Sequence, residues 1–164
     1  MAWATFGSAR RRASECPNIV DQTKALAAFQ RAAASQREEF DDFFLTRLLG
    51  LEISYPGDAC EVAFDVQDFM FNPRGGVHGG VLATALDICM GHLINHNTGP
   101  GATLELKVQY LAPVSSGRVI CRGEAMRRGG TWILKAEARS VEGVLIAFAT
   151  STWKVLRKLA VARP

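Results

Sequence analysis

The chain has 164 residues, 48% of them hydrophobic and 21% charged, with a formal net charge of +3. That length suits one domain able to bury roughly two-thirds of its unfolded surface. The modest charge, with no basic stripe interleaved with aromatics, argues against a nucleic-acid partner, and no run of 18 apolar residues offers a membrane span.

The opening, MAWATFGSARRRASECP, has three arginines and no acid before Glu15. It lacks the apolar core of a secretory signal and reads as a solvated start, a mitochondrial presequence being the alternative its composition allows. Residues 22–48 are rich in Ala, Gln, Glu and Arg with apolar residues at helical spacing, which predicts one helix and a shorter second one around Phe40 to Leu48. We take residues 1–48 as a tail and helical extension, 49–158 as the main domain and 159–164 as a C-terminal tail. After Gly50, LEISYP and CEVAFDV read as strands joined by a PGD turn. A glycine-rich loop leads into a helix from about Gly79 to Asn95. From Ala102 onward the pattern is strand after strand. TLELKVQYL alternates, placing Leu104, Leu106, Val108 and Tyr110 on one face and Thr103, Glu105, Lys107 and Gln109 on the other. GRVICRGEAM, TWILKAEARS and VLIAFATSTWKVL follow, joined by RRGG and VEG turns whose glycines suit the positive φ of tight hairpins. The class is therefore α+β: an antiparallel sheet wrapped on one long, apolar helix.

Of the four cysteines, Cys16, Cys60, Cys89 and Cys121, no two are close enough for a CxxC site. The last three sit among apolar neighbours and read as small core residues suited to a reducing compartment, hence a cytoplasmic location.

The informative stretch is FNPRGGVHGGVLATALD, Phe71 to Asp87. At 100° per residue, Leu82, Leu86, Cys89 and Leu93 form one stripe of the helix, while Gly80, Thr84, Asp87 and Gly91 lie opposite. Asp87 could be a surface residue of an amphipathic helix. Yet this helix is almost uncharged, as buried helices are, and an unpaired carboxylate there marks a candidate site.

The order Asn72, GGVHGG, LATALD and TLELKVQYLAPV resembles the hotdog-fold acyl-CoA thioesterases of the PaaI type, from about Gly50 to Val155. The resemblance implies a hydrolase that cleaves acyl-CoA to free acid and CoA. Asp87 would be its catalytic carboxylate and Gly79 would supply an oxyanion-hole N–H. Asn72 and His78 would position the thioester, and Thr103 would lie near the nucleophilic water. The chemistry agrees, because a helix N-terminus presents unpaired N–H groups to a developing oxyanion and Gly79 and Gly80 let a carbonyl approach. Asp87 lies about 12 Å along the helix from Gly79 at 1.5 Å per residue, too far for one chain to close the site easily. A homodimer, or a dimer of dimers giving a homotetramer, joins the two halves, and the family shares its site in this way. No cofactor is implied, CoA being part of the substrate, and no nucleic acid or membrane is a partner.

Other readings use the same residues. Asp87 and His92 match the Asp-x4-His spacing of hotdog enoyl-CoA hydratases, but five helical residues place them about 140° apart. A non-catalytic acyl-CoA binder is the other class, and the aspartate argues against it. His92 and His96 are at i, i+4 without a third metal ligand, so no metal site is assigned. His78 could simply cap its loop. Arg127 and Arg128 could be turn charges, or could meet the phosphates of a CoA carrier.

Overall fold

The computed structural model describes residues 20–40 and 42–156; the arginine-rich start with Cys16, and the tail expected at 159–164, lie outside the described residues. Strands β1 (Glu52–Ser54), β2 (Cys60–Asp65), β3 (Gly101–Tyr110), β4 (Arg118–Arg127), β5 (Thr131–Ser140) and β6 (Leu145–Val155) form one sheet in the order β1-β2-β4-β5-β6-β3. Every neighbouring pair is antiparallel. The period-2 pattern is clear in β5, where Trp132, Leu134, Ala136 and Ala138 are buried and the residues between them face outward.

The long helix α3 (Gly79–Thr98) lies on the inner face of this sheet. Its expected stripe of Leu82, Leu86, Cys89 and Leu93 is buried throughout. Each such aliphatic burial contributes about 1.5–3 kcal/mol, so the stripe fixes the helix on the sheet. The helix runs one turn beyond the expected end at Asn95. The side chains of Asn97 and Thr98 bond back to the carbonyls of Leu93 and Ile94 at 2.7 and 3.0 Å, and Gly99, at φ 94°, ends it. These are turn-forming residues by composition, which is why the sequence suggests an earlier stop.

The N-terminal helices form a hairpin of their own. Helix α1 (Gln22–Ser35) is capped by Asp21, whose carboxylate accepts from the Thr23 and Lys24 N–H groups. Helix α2 (Phe44–Leu49) starts four residues later than the sequence pattern suggests, and Phe29 meets Phe44 edge to face at 5.3 Å. The connection between them docks on α3 through Phe40, whose ring lies 4.6 Å from that of His92. Gly91 makes room, because a Cβ there would lie 2.8 Å from the Trp153 ring and 3.7 Å from Phe40.

His92 is completely buried, with the Tyr55 hydroxyl 2.9 Å from its Nδ1, and His96 stacks on Tyr55 at 4.1 Å. Cys60, Cys89 and Cys121 are buried free thiols, as expected, and burial pushes Cys121 up to about 12. One turn expectation fails. Gly143 has the positive φ of 85°, but neither Gly129 nor Gly130 enters that region, so the RRGG turn closes without left-handed backbone. No described helix is long and apolar enough to cross a membrane.

Candidate active site

The sheet presents two separate stretches of α3 to solvent, each beside β3. At the helix start, His78 is the N-cap, and its Nδ1 accepts from the Gly80 N–H at 2.9 Å. An acceptor at Nδ1 leaves the proton of the neutral ring on Nε2, so the exposed side of this imidazole is a donor. The capping role and an outward-facing donor therefore coexist. The His78 N–H itself bonds to the Met70 carbonyl at 2.8 Å, which fixes the loop end. Asn72 organises the loop, its Oδ1 accepting from the Arg74 N–H at 2.7 Å and its backbone closing the turn with Gly75 and Gly76.

Gly79 is the first residue of α3, and among the described residues its N–H meets no protein acceptor. The carbonyl of the same residue accepts from the Tyr110 hydroxyl at 2.9 Å. A Cβ on Gly79 would sit 3.0 Å from the Tyr110 ring, a close approach to which that exposed side chain would have to give way. A Cβ on Gly80 would lie 3.0 Å from His78 Nδ1. A cleft of about 390 Å³ opens here, lined by Asn72, Gly79, Leu82, Tyr110 and Val114 among others. Tyr110, which the sequence offers only as a strand residue, is thus part of this end of the helix.

Two turns further along, Asp87 faces a different cleft of about 500 Å³, lined by Phe43, Leu45, Ala83, Thr103 and Leu106 among others. Asp87 is half-buried, and its Oδ1 accepts from the Thr103 hydroxyl at 3.1 Å. Burial raises its carboxyl above the ordinary aspartate value of 3.8, and the Thr103 hydrogen bond pulls it part of the way back. The result is a half-buried carboxylate with a hydroxyl donor, in a mostly apolar cleft.

Thr103 reaches Asp87 against the alternation of its strand. Simple period 2 puts Thr103 on the face opposite Leu106, yet both line the Asp87 cleft. A bulge in β3 between Thr103 and Glu105 shifts the register against β6. It turns Leu104 outward, 61% exposed, and aims Thr103 at the helix. Sequence alternation cannot reveal such a bulge.

The remaining expected site residues fall elsewhere. Arg128 lies 3.9 Å from Asp58 and packs over Trp132 at 5.3 Å. It and the exposed Arg127 sit at the β4–β5 turn, and neither lines the two clefts. His92, buried under Phe40, does not share the Asp87 cleft, so the Asp-x4-His pair of a hydratase is not assembled.

A six-stranded antiparallel sheet with one long helix on its inner face is the architecture of the hotdog fold. Residues 74–145 match the Thioesterase superfamily. The medium/long-chain acyl-CoA thioesterase YigI of Escherichia coli is 30% identical over 129 residues, covering 66% of this chain and 83% of that one. A Saccharolobus solfataricus protein described as an esterase is 36% identical over 91 residues, covering 53% of this chain and 65% of that one. A Ralstonia eutropha structure described as a phenylacetic acid degradation-related thioesterase superposes with a TM-score of 0.63 at 29% identity, over 68% of this chain and 89% of that one. The chain belongs to the hotdog-fold thioesterase superfamily and is a thioester hydrolase.

Proposed function

We propose that the protein hydrolyses acyl-CoA to free acid and CoA, with Asp87 as the catalytic carboxylate and Gly79 of the partner subunit as an oxyanion donor. The observation that carries this reading is Asp87 itself: half-buried, hydrogen-bonded among the described residues only by Thr103, in a cleft with an apolar wall. Acting as general base, it takes a proton from water as the water oxygen attacks the thioester carbon. The C–S bond then breaks, and the thiolate leaves with that proton. Acting as nucleophile, it forms an anhydride that water opens. Either route needs the carboxylate charged and a donor for the oxyanion.

A symmetric dimer is part of the proposal. The two clefts of one chain draw on different residues, so each chain carries two half-sites. Strand β3 is a ten-residue edge with Leu104 and Tyr110 more than half exposed, and an unpaired edge of that length favours pairing with a second copy. Further association into a tetramer is compatible with this pairing. Asn72 and His78 position the thioester, Gly80 gives the acyl carbonyl room, and Arg127 and Arg128 meet the carrier phosphates from outside the clefts. The reading needs no cofactor, and the buried thiols suit the cytoplasm. The relative named for medium and long chains supports an acyl-CoA of that size.

Thiol release from an acyl-CoA panel tests the proposal. Asp87→Asn should lower kcat by about 10²–10⁴ while acyl-CoA still binds. Near wild-type hydrolysis by a folded Asp87→Asn overturns the mechanism.

A further inference from the structure

The α1–α2 hairpin lies outside the sheet-and-helix core, yet it supplies one side of the Asp87 cleft. Phe43 and Leu45 line this cleft together with Leu106 of β3 and with Ala83, Thr84 and Asp87 of α3. Ile88 of α3 completes the lining, so apart from Asp87 and the hydroxyls of Thr84 and Thr103 the cleft is apolar, an arrangement that accommodates an apolar group.

This wall is anchored to the core at two points and braced within the hairpin. The Asp21 N–H donates to the Asp68 carboxylate at 2.8 Å, tying the start of α1 to the segment before the glycine loop. Phe40 packs on His92 in the pocket that Gly91 leaves open. The buried Thr46 hydroxyl donates to the Phe43 carbonyl at 2.6 Å and fixes the turn that aims Phe43. Arg47 pairs with Asp42 on the outer side of the same turn. Leu45 remains 39% exposed toward the cleft mouth, unlike its buried neighbours Thr46 and Leu49.

We propose that this hairpin is the acyl-chain wall of the site: Phe43 and Leu45 grip an aliphatic acyl chain that runs from Asp87 along the small-residue face of α3. They thereby set which chain lengths are accepted. The proposal rests on Asp87 as the reacting end of the cleft. A wall contacting only the remote chain acts equally on bound substrate and transition state, so its loss changes KM and leaves kcat. Each buried methylene strengthens binding about fourfold, so the effect grows with chain length.

The experiment compares acetyl-CoA with decanoyl-CoA, and adds calorimetric binding of a non-hydrolysable decyl thioether of CoA. Phe43→Ala combined with Leu45→Ala should raise KM for decanoyl-CoA about tenfold or more with kcat retained, a change several-fold larger than the one it makes for acetyl-CoA. Thioether affinity should fall by the same factor. Leu45→Trp, which adds bulk to the wall rather than removing it, should weaken decanoyl-CoA far more than acetyl-CoA. Equal effects on both substrates, or none in variants with native unfolding temperatures, overturn the wall. If Asp87→Asn proves active, the catalytic reading fails on its own. The thioether measurement then still decides whether Phe43 and Leu45 hold the chain.

Discussion

The two exposed stretches of α3 solve opposite problems with the same helix. Its first turn is a site made of backbone: glycine, a capping imidazole and a tyrosine that holds a carbonyl leave one N–H free. Nothing there is charged, and the positive end of the helix dipole does the electrostatic work. The middle of the helix is a site made of one side chain. Asp87 is placed where the backbone is hydrogen-bonded within the helix and most of the cleft lining is apolar, so the reactivity proposed for this half rests in a carboxylate that burial makes more basic. One end is suited to stabilising negative charge and the other to withdrawing a proton. Because they open into separate clefts, a single chain does not bring the two proposed half-sites together.

The largest effect should come from the side-chain half. Asp87→Asn removes the proposed catalytic carboxylate and should also change stability in a pH-dependent way. The folded-state pKa of Asp87 is raised, so between 3.8 and its folded value the native state binds more protons than the unfolded chain. Stability therefore falls as pH rises through that window, and the penalty is fully present above it. Asp87→Asn should unfold at a higher temperature than wild type at pH 7, and the difference should vanish well below pH 3.8. A variant that unfolds at every pH marks Asp87 as a structural residue.

The backbone half is tested by Gly79→Pro, which deletes the N–H while keeping a residue favoured at the first helical position. Gly79→Ala keeps the N–H and controls for the added Cβ beside Tyr110. If the N–H binds the oxyanion, Gly79→Pro should lose about 10²–10³ in kcat relative to Gly79→Ala. Mixing Gly79→Pro with Asp87→Asn then sharpens the comparison. In a two-fold dimer one of the two shared sites of each heterodimer is intact, so an equal mixture should recover about a quarter of wild-type activity. No recovery after subunit exchange means that both halves act within one chain.

What the sequence made legible was what repeats or stands out chemically. The stripe of Leu82, Leu86, Cys89 and Leu93 follows from the helical period, and Asp87 is visible because almost nothing else on its helix is charged. Thr103 was legible as a residue and not as a geometry, since the bulge that aims it depends on pairing with β6. The same holds for Tyr110, whose hydroxyl finds Gly79 31 positions away. Phe43 and Leu45 carry no local signal, because their role arises from how a separate hairpin docks on α3. The arginines at 127 and 128 illustrate the converse: a plausible charge pair that the fold carries to neither cleft of its own chain.

A smaller effect isolates the contact between Asp87 and the bulged strand. The Thr103 hydroxyl favours the charged carboxylate, so Thr103→Val should raise the Asp87 pKa further. The acid limb of the kcat/KM profile should move to higher pH, with the plateau changing little. An unmoved limb shows either that the limb does not report Asp87 or that Thr103 leaves the carboxylate in the assembled enzyme.

The smallest expected effect concerns the cap. His78→Ala removes the acceptor for the Gly80 N–H, and loss of an N-cap costs about 1 kcal/mol, or a few degrees in unfolding temperature for a chain of this size. His78→Asn restores a side-chain acceptor at the same position and should recover that stability. Asparagine lacks the Nε2 donor that the imidazole presents outward, so a positioning role at the thioester separates the two properties. His78→Asn should then melt like wild type while its kcat stays low. If activity returns with stability, His78 serves α3 as a cap alone, and the polar environment at the helix start reduces to the Gly79 N–H and the loop built by Asn72.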